Sequence, residues 1–284
     1  MKVFHSNSEL DFWSANLSKD TLSIGFVPTM GALHLGHLKL IERACLENDY
    51  VVCSIYVNPT QFNNSEDLAK YPRDLEKDLK LLSKFPNLVV YHPSDKDIYP
   101  TDDFKEPPKI DLKGLEKVME GANRPGHFEG VTTVVKRLFE IVRPQKAYFG
   151  LKDYQQYLIV KRLADSYFPE IEIIANEIIR SEKGLALSSR NERLSNSGLI
   201  QAARLNNYLR QVVSMSRNYS IHSALEKIIG EIELDSNISL EYLTIADAET
   251  LSDYNQLKSK AGMVFIAAWV ENIRLIDNMR LQFI

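Results

Sequence analysis

The sequence predicts an α/β fold, a doubly wound Rossmann-like parallel sheet followed by a smaller C-terminal α+β domain, and three observations carry that expectation. Strand-like apolar runs alternate with helix-period stretches through the greater part of the chain, as in a wound parallel sheet. Residues 51–57, VVCSIYV, form an unbroken apolar run of the kind buried on both faces of such a sheet. Beyond about residue 185 the order changes to two helices and then strands. The expected boundary is 1–184 for the larger domain and 185–284 for the smaller.

The first informative stretch is 22–48, LSIGFVPTMGALHLGHLKLIERACLEN. Leu22, Ile24, Phe26 and Val27 have strand composition, Pro28 and Gly31 punctuate a turn, and Leu38, Ile41, Ala44 and Cys45 recur at helical spacing. A strand entering a helix through such a turn presents backbone N–H groups and the positive end of the helix dipole, which suit phosphate. His34 and His37 stand where the helix begins, three residues apart and on one side of it. They are either surface or capping groups, or donors to phosphoryl oxygens as charge builds in a transition state. A zinc site is not indicated: HExxH is absent, and Cys45 and Cys53 are not spaced as a ligand pair.

After the second strand comes NPTQF, which places Asn58 and Gln61 beyond a strand C-terminus, where open α/β sheets bind ligands. Both are candidate substrate contacts. Leu68, Leu75, Leu79 and Leu82 give helical periodicity over 66–84, broken at Tyr71-Pro72-Arg73. Asp74 and Glu76 complement the dipole of the second piece, and Asp78 reads as solvated helix surface. Asn87–Tyr91 predicts a short strand and 93–111 a long loop. Val131, Val134, Val135, Leu138, Phe139 and Val142 mark a helix, with RPGHFEGV as the loop leading into it. There Arg124 and His127 either face an anion or tie the loop down.

KAYFGLKDYQQYLIVKRLAD repeats the opening pattern, a short strand, a glycine and a helix from about Asp153. Asp153 with Gln156 also fits a capping box. Lys152 has no such local reason, since a cation at a helix N-terminus is misplaced without an anion between them. Ser188, Ser189 and Arg190 are contiguous before a helix. They serve either as a cap region or, with the planar fork of Arg190, as a phosphate grip.

Bulk composition narrows the function classes. A chain of 284 residues with 44% hydrophobic content can bury a sizeable core. Its formal net charge of −4 disfavours a general nucleic-acid binder. No apolar run approaches the ~20 residues of a membrane span, and MKVFHSNSELDFW lacks the core of a signal peptide, so a cytoplasmic location is expected. Two cysteines do not indicate a disulfide framework.

PTMGALHLGH, YVNPTQF, YPRDLEKDL, RPGHFEGVTTVV, YFGLKDYQQ, GLALSSRN and RLIDN follow one another along nearly the whole chain. Together they resemble the pantothenate synthetase family, ligases of the HxGH nucleotidyltransferase superfamily related to class I aminoacyl-tRNA synthetases. The resemblance implies ATP-dependent joining of pantoate to β-alanine through a pantoyl adenylate, with release of AMP and pyrophosphate. It implies ATP contacts at Met30, Gly31, Ala32, Leu33, His34, Leu35, Gly36 and His37, the last as proton donor or phosphate-polarising group. Gly150, Leu151, Lys152 and Asp153 would bind ATP as well, Lys152 through the phosphates and Asp153 through the ribose, with Ile179 and Leu187 flanking the nucleotide. Ser188, Ser189 and Arg190 would stand in for the KMSKS loop, and Gln61, Gln156, Asn58 and Met30 would face pantoate or β-alanine. Asp78 matches an acidic position associated with Mg2+ and phosphate. A homodimer is implied, with small-molecule substrates and neither nucleic acid nor membrane as partner. Leu151, Lys183 and Glu271 depart from the family pattern, which has an acid, an acid and a glycine there. The alternative is another HxGH nucleotidyltransferase, one that adenylates a small carboxylate or phosphate substrate.

Overall fold

The computed structural model describes residues 1–17, 22–253 and 261–282. They fall into two compact units: Met1–Leu112, Glu120–Leu151 and Gln156–Glu177 form the first, and Lys113–Met119, Lys152–Gln155 and Ile178–Ile284 the second.

In the first unit six strands, β1 (Lys2–Phe4), β2 (Ile24–Thr29), β3 (Tyr50–Ile55), β4 (Leu88–Tyr91), β5 (Lys146–Gly150) and β6 (Glu172–Asn176), form one sheet. Its order is β1-β4-β3-β2-β5-β6 and every pairing is parallel. Val51 to Ile55 are all buried, which explains why that run shows no alternation: helices cover both faces. The helices are α1 (Asn7–Ala15), α2 (Leu35–Glu47), α3 (Ser65–Ala69), α4 (Leu75–Leu82), α5 (Asp95–Ile98), α6 (Met119–Asn123), α7 (His127–Val142) and α8 (Tyr154–Tyr167). Leu38, Ile41 and Ala44 of α2 pack with Val27, Val51, Cys53 and Val90 in one core cluster, so the helical stripe read from the sequence is the buried face. The chain runs from β2 outward to β3 and β4, then restarts on the other side with β5 and β6. That reversal of order lies between β2 and β5, the crevice where open α/β sheets bind ligands.

The second unit contains α9 (Asn196–Met215), α10 (Ile221–Glu233) and the strands β7 (Ser239–Asp247), β8 (Ala261–Val270) and β9 (Ile273–Gln282), an antiparallel sheet of order β7-β8-β9. Ala202, Leu205, Leu209 and Val212 of α9 and Ile228 and Ile232 of α10 pack with Ile245, Val264, Ile266 and Leu275 of the sheet. The expected boundary after residue 184 differs from the observed division after Glu177. Segment 178–184 goes with the second unit because Arg180 grips Asp277 of β9 through two hydrogen bonds, at 2.6 and 2.9 Å.

Two local expectations are corrected and a third holds. The loop expected over 93–111 contains α5 and a 3-10 turn, Asp102–Lys105. RPGHFEGV is not all loop: α7 starts at His127, and His127 and Phe128 in its first turn are buried. The helix expected from about Asp153 is α8, which starts at Tyr154 after a 3-10 turn over Leu151–Asp153.

Candidate active site

The loop between β2 and α2 is held from below. Gly31 and Ala32 both have left-handed backbones, φ +75° and +48°. A side chain on Gly31 would also put its Cβ 2.9 Å from Asp78 Oδ2, so glycine is required there twice over. Asp78 is 1% exposed and accepts the N–H of Ala32 at 2.9 Å and of Leu33 at 2.8 Å, one on each carboxylate oxygen. The expectation that Asp78 is solvated helix surface is therefore corrected. Among the described residues no three His, Cys, Asp or Glu side chains gather as a metal site, and both oxygens of Asp78 already serve the loop. The residues do not fit a protein-held Mg2+ at Asp78.

The loop's backbone does not turn outward as the strand-turn-helix pattern predicts. The N–H of Gly31 donates to Thr29 Oγ1 (3.2 Å), those of Ala32 and Leu33 to Asp78, that of His34 to His37 Nδ1 (3.3 Å) and that of Gly36 to His34 Nδ1 (3.1 Å). The two histidines form a reciprocal cap on α2, their ring centroids 4.1 Å apart. Because each Nδ1 accepts a backbone N–H, the proton of each neutral ring sits on Nε2. The cap thus fixes the tautomer, with the N–H of each neutral ring on Nε2.

Beyond β3 the turn Pro59–Gln61 carries the amide expected to face substrate. Asn58 beneath it is 1% exposed and fully engaged. Its Nδ2 donates to Gln61 Oε1 and Gly130 O, both at 3.2 Å, and its Oδ1 accepts from Tyr99 (2.9 Å) and Thr60. Asn58 has no hydrogen-bonding capacity left for substrate, so its expected substrate contact is corrected to support of Gln61. Gln61 Nε2 lies 3.0 Å from the sulfur of Met30. His127 Nδ1 is 2.9 Å from the Gln61 carbonyl, and Arg124 reaches His127 Nε2 at 3.1 Å and Glu120 at 3.8 Å, so these two residues tie the turn down. A cavity of about 400 Å³ at the carboxyl ends of β2, β3 and β4 is lined by Met30, Gly31, Ile55, Pro59, Arg73 and His92 among others.

Within the second unit, Lys152 is mostly buried, with Nζ 3.5 Å from Asp153, and its carbonyl accepts from Asn278 at 2.9 Å. Asp153 contributes part of the negative charge that Lys152's position calls for. Ile179 and Leu187 are brought side by side, the N–H of Leu187 donating to Ile179 O at 3.0 Å. Ser188 caps the 3-10 turn Ser189–Arg193 by accepting the N–H of Arg190 at 3.3 Å. The capping reading of these serines therefore holds for Ser188, while Ser189 is buried and Arg190 half-buried. Gln156 is half-buried at the start of α8, beside a buried Gln155 that donates to Leu115 O and Val118 O. Gly150 ends β5 and Leu151 follows it.

Sequence reasoning misses Tyr99 and the ion pair Arg180–Asp277. The only signal for the latter is RLIDN near the C-terminus, and for Tyr99 there is none.

The family model described as pantoate-beta-alanine ligase matches residues 2–280. The chain belongs to the pantoate–β-alanine ligase family. It is 43% identical over 284 residues to the pantothenate synthetase of Christiangramia forsetii, covering 99% of this chain and 100% of that one. To the pantothenate synthetase of Thermotoga petrophila it is 42% identical over 280 residues, with 98% and 99% covered. The pantothenate synthetase structure from Thermus thermophilus superposes with a TM-score of 0.90 at 38% identity, covering all of both chains. The ligase from Francisella tularensis, solved with β-γ ATP and β-alanine, gives 0.81 at 36% identity over 98% of this chain and 97% of that one. Pantoate and β-alanine are joined by this enzyme through a C–N bond, with ATP as substrate, and the alternative of another nucleotidyltransferase activity is not favoured.

Proposed function

We propose that His34 and His37 are the phosphate-facing donors of the adenylation step, acting through Nε2–H. The observation that carries this is the pair of backbone N–H bonds that occupy both Nδ1 atoms. In the first step a pantoate carboxylate oxygen attacks the α-phosphorus of ATP, the bond to the bridging oxygen breaks, and pyrophosphate leaves. Negative charge on the α-phosphoryl oxygens is met by the two imidazoles, and Lys152, Ser188, Ser189 and Arg190 are the further phosphate donors that the family resemblance implies. Met30 to His37 and Gly150 to Asp153 serve the nucleotide, with Ile179 and Leu187 beside it. In the second step the neutral amine of β-alanine attacks the acyl carbon, the acyl–oxygen bond to AMP breaks, and the amine proton passes to solvent.

Gln61 and Gln156 hold pantoate with Met30 as an apolar wall. Neutral amides orient a carboxylate without the charge neutralisation that would blunt it as a nucleophile. The cavity beside Met30 has room for a small organic acid. Mg2+ arrives on the phosphates of ATP, which fits a protein whose buried aspartate is already engaged by backbone. By the same reading the enzyme works as a homodimer in a reducing cytoplasm. Cys45 and Cys53 are free thiols that burial pushes up to about 11 and about 12, so neither is a ready thiolate.

His37→Asn tests the assignment. The expected result is a fall of about 10²-fold in the rate of adenylate formation, with the thermal midpoint nearly unchanged. An unaltered rate would remove His37 from the mechanism.

A further inference from the structure

The amide of Gln61 can meet a ligand with its oxygen or with its NH2 group, and the hydrogen bonds around it select one. Two backbone groups of fixed chemistry set the direction. Gly130 O can only accept, so the Asn58 atom 3.2 Å from it is the NH2. The N–H of Thr60 can only donate, so Asn58 Oδ1 faces it, at 3.4 Å. Asn58, oriented in this way, aims its second N–H at Gln61, where it meets Oε1 at 3.2 Å. The Gln61 NH2 is left on the opposite side, next to Met30.

The hydroxyls fall into line behind these groups. Thr60 Oγ1 and Tyr99 Oη lie 3.0 and 2.9 Å from Asn58 Oδ1 and so both donate to it. Tyr99 is 6% exposed, and burial pushes its phenol above the ordinary tyrosine range, so it stays a protonated donor. It is also held in place. Arg137 of α7 donates to Ile98 O at 3.1 Å, and Tyr56 donates to Asp95 at 2.9 Å, at the other end of α5.

We infer that Gln61 reads its substrate as a donor only, through its NH2 group, and that Asn58 and Tyr99 are positioning residues that fix this polarity. That the substrate is pantoate rests on the function proposed above; the polarity does not. The atom meeting Gln61 has to offer a lone pair, as a carboxylate or hydroxyl oxygen does. An ammonium group would set N–H against N–H, so Gln61 discriminates the acid substrate from the protonated amine.

The test uses the full chain as Tyr99→Phe and Asn58→Asp, with two readouts. In pantoate-dependent pyrophosphate exchange, Tyr99→Phe is expected to raise the KM for pantoate about tenfold and leave the KM for ATP unchanged. Asn58→Asp, which can donate to neither Gly130 O nor Gln61 Oε1, is expected to raise it about a hundredfold. In amide 15N–1H spectra the side-chain NH2 signals of Asn58 and Gln61 should shift in Tyr99→Phe. A lowered thermal midpoint with both KM values unchanged would mark Tyr99 and Asn58 as merely structural and overturn the inference. If the parent enzyme shows no pantoate-dependent exchange, the substrate assignment fails. The polarity is then judged by the spectra alone, where unshifted Asn58 and Gln61 signals in Tyr99→Phe would overturn it.

Discussion

A buried aspartate under the β2–α2 loop is a costly way to hold two N–H groups, and Asp78 shows what it secures. Burial pushes its carboxyl up from the ordinary aspartate range, and the bonds from Leu33 and Ala32 only partly pull it back. In return the left-handed pair Gly31–Ala32 is fixed, and with it the position of His34 at the helix start. The folded protein therefore binds a proton at Asp78 more tightly than the unfolded chain does. Between the ordinary aspartate pKa and the raised one, stability falls as pH rises, and above that window the cost is constant. Asp78→Asn removes this titration and sets an NH2 group against one of the two N–H donors. Urea unfolding of both proteins at about pH 4.5 and about pH 7.5 should find the parent's advantage over the variant larger at the lower pH. An advantage independent of pH would contradict the assignment.

Among the elements, α7 and the Pro59–Gln61 turn meet where only glycine fits. A Cβ on Gly130 would lie 2.4 Å from Thr60 O and 2.7 Å from Gln61 Cα. Alanine in a helix interior is ordinarily worth up to about 1 kcal/mol over glycine, but overpacking typically costs about 1–3 kcal/mol, so the contact should win. Gly130→Ala is expected to lower the stability measured by urea unfolding and to raise the KM for pantoate, because the turn it displaces carries Gln61. A variant more stable than the parent would refute the close crossing. Glu271 shows the opposite accommodation. At the β8–β9 turn it occupies a left-handed position, φ +50°, one that ordinarily favours glycine. Its carboxylate accepts the Ser195 N–H at 2.8 Å at the start of α9, and the Ser195 hydroxyl beside it holds the carboxyl below its ordinary range. The contact with Ser195 holds this left-handed residue within the second unit.

For the molecule as a whole, what the sequence revealed divides by the range of the interaction. VVCSIYV is legible as a two-sided buried strand, and Leu38, Ile41 and Ala44 as the inner face of a helix, because burial there is periodic over a few residues. His34 with His37, and Ser188 with Ser189 and Arg190, are legible because each set is nearly contiguous. Asp78 is misread as surface since its partners lie 45 and 46 residues away, and the Tyr99–Asn58 bond spans 41. Arg180 and Asp277, 97 residues apart, move the division between the units from 184 to 177. No helical or strand period encodes such pairs. The same limit hid part of the direction of the loop N–H groups: strand, turn and helix predict an outward nest, whereas Asp78, 45 and 46 residues away, takes the N–H groups of Leu33 and Ala32, and Thr29, His34 and His37 take others locally.

The ligation runs in two steps, the first of which forms an acyl adenylate from pantoate. Its most direct test is the exchange of labelled pyrophosphate into ATP, measured with pantoate present and β-alanine absent. The expected result is exchange that depends on pantoate, stops without it, and gives way to release of AMP and pantothenate once β-alanine is added. Absence of exchange, in a preparation that binds ATP and turns over when all three substrates are present, would contradict the adenylate and with it the roles given to His34 and His37.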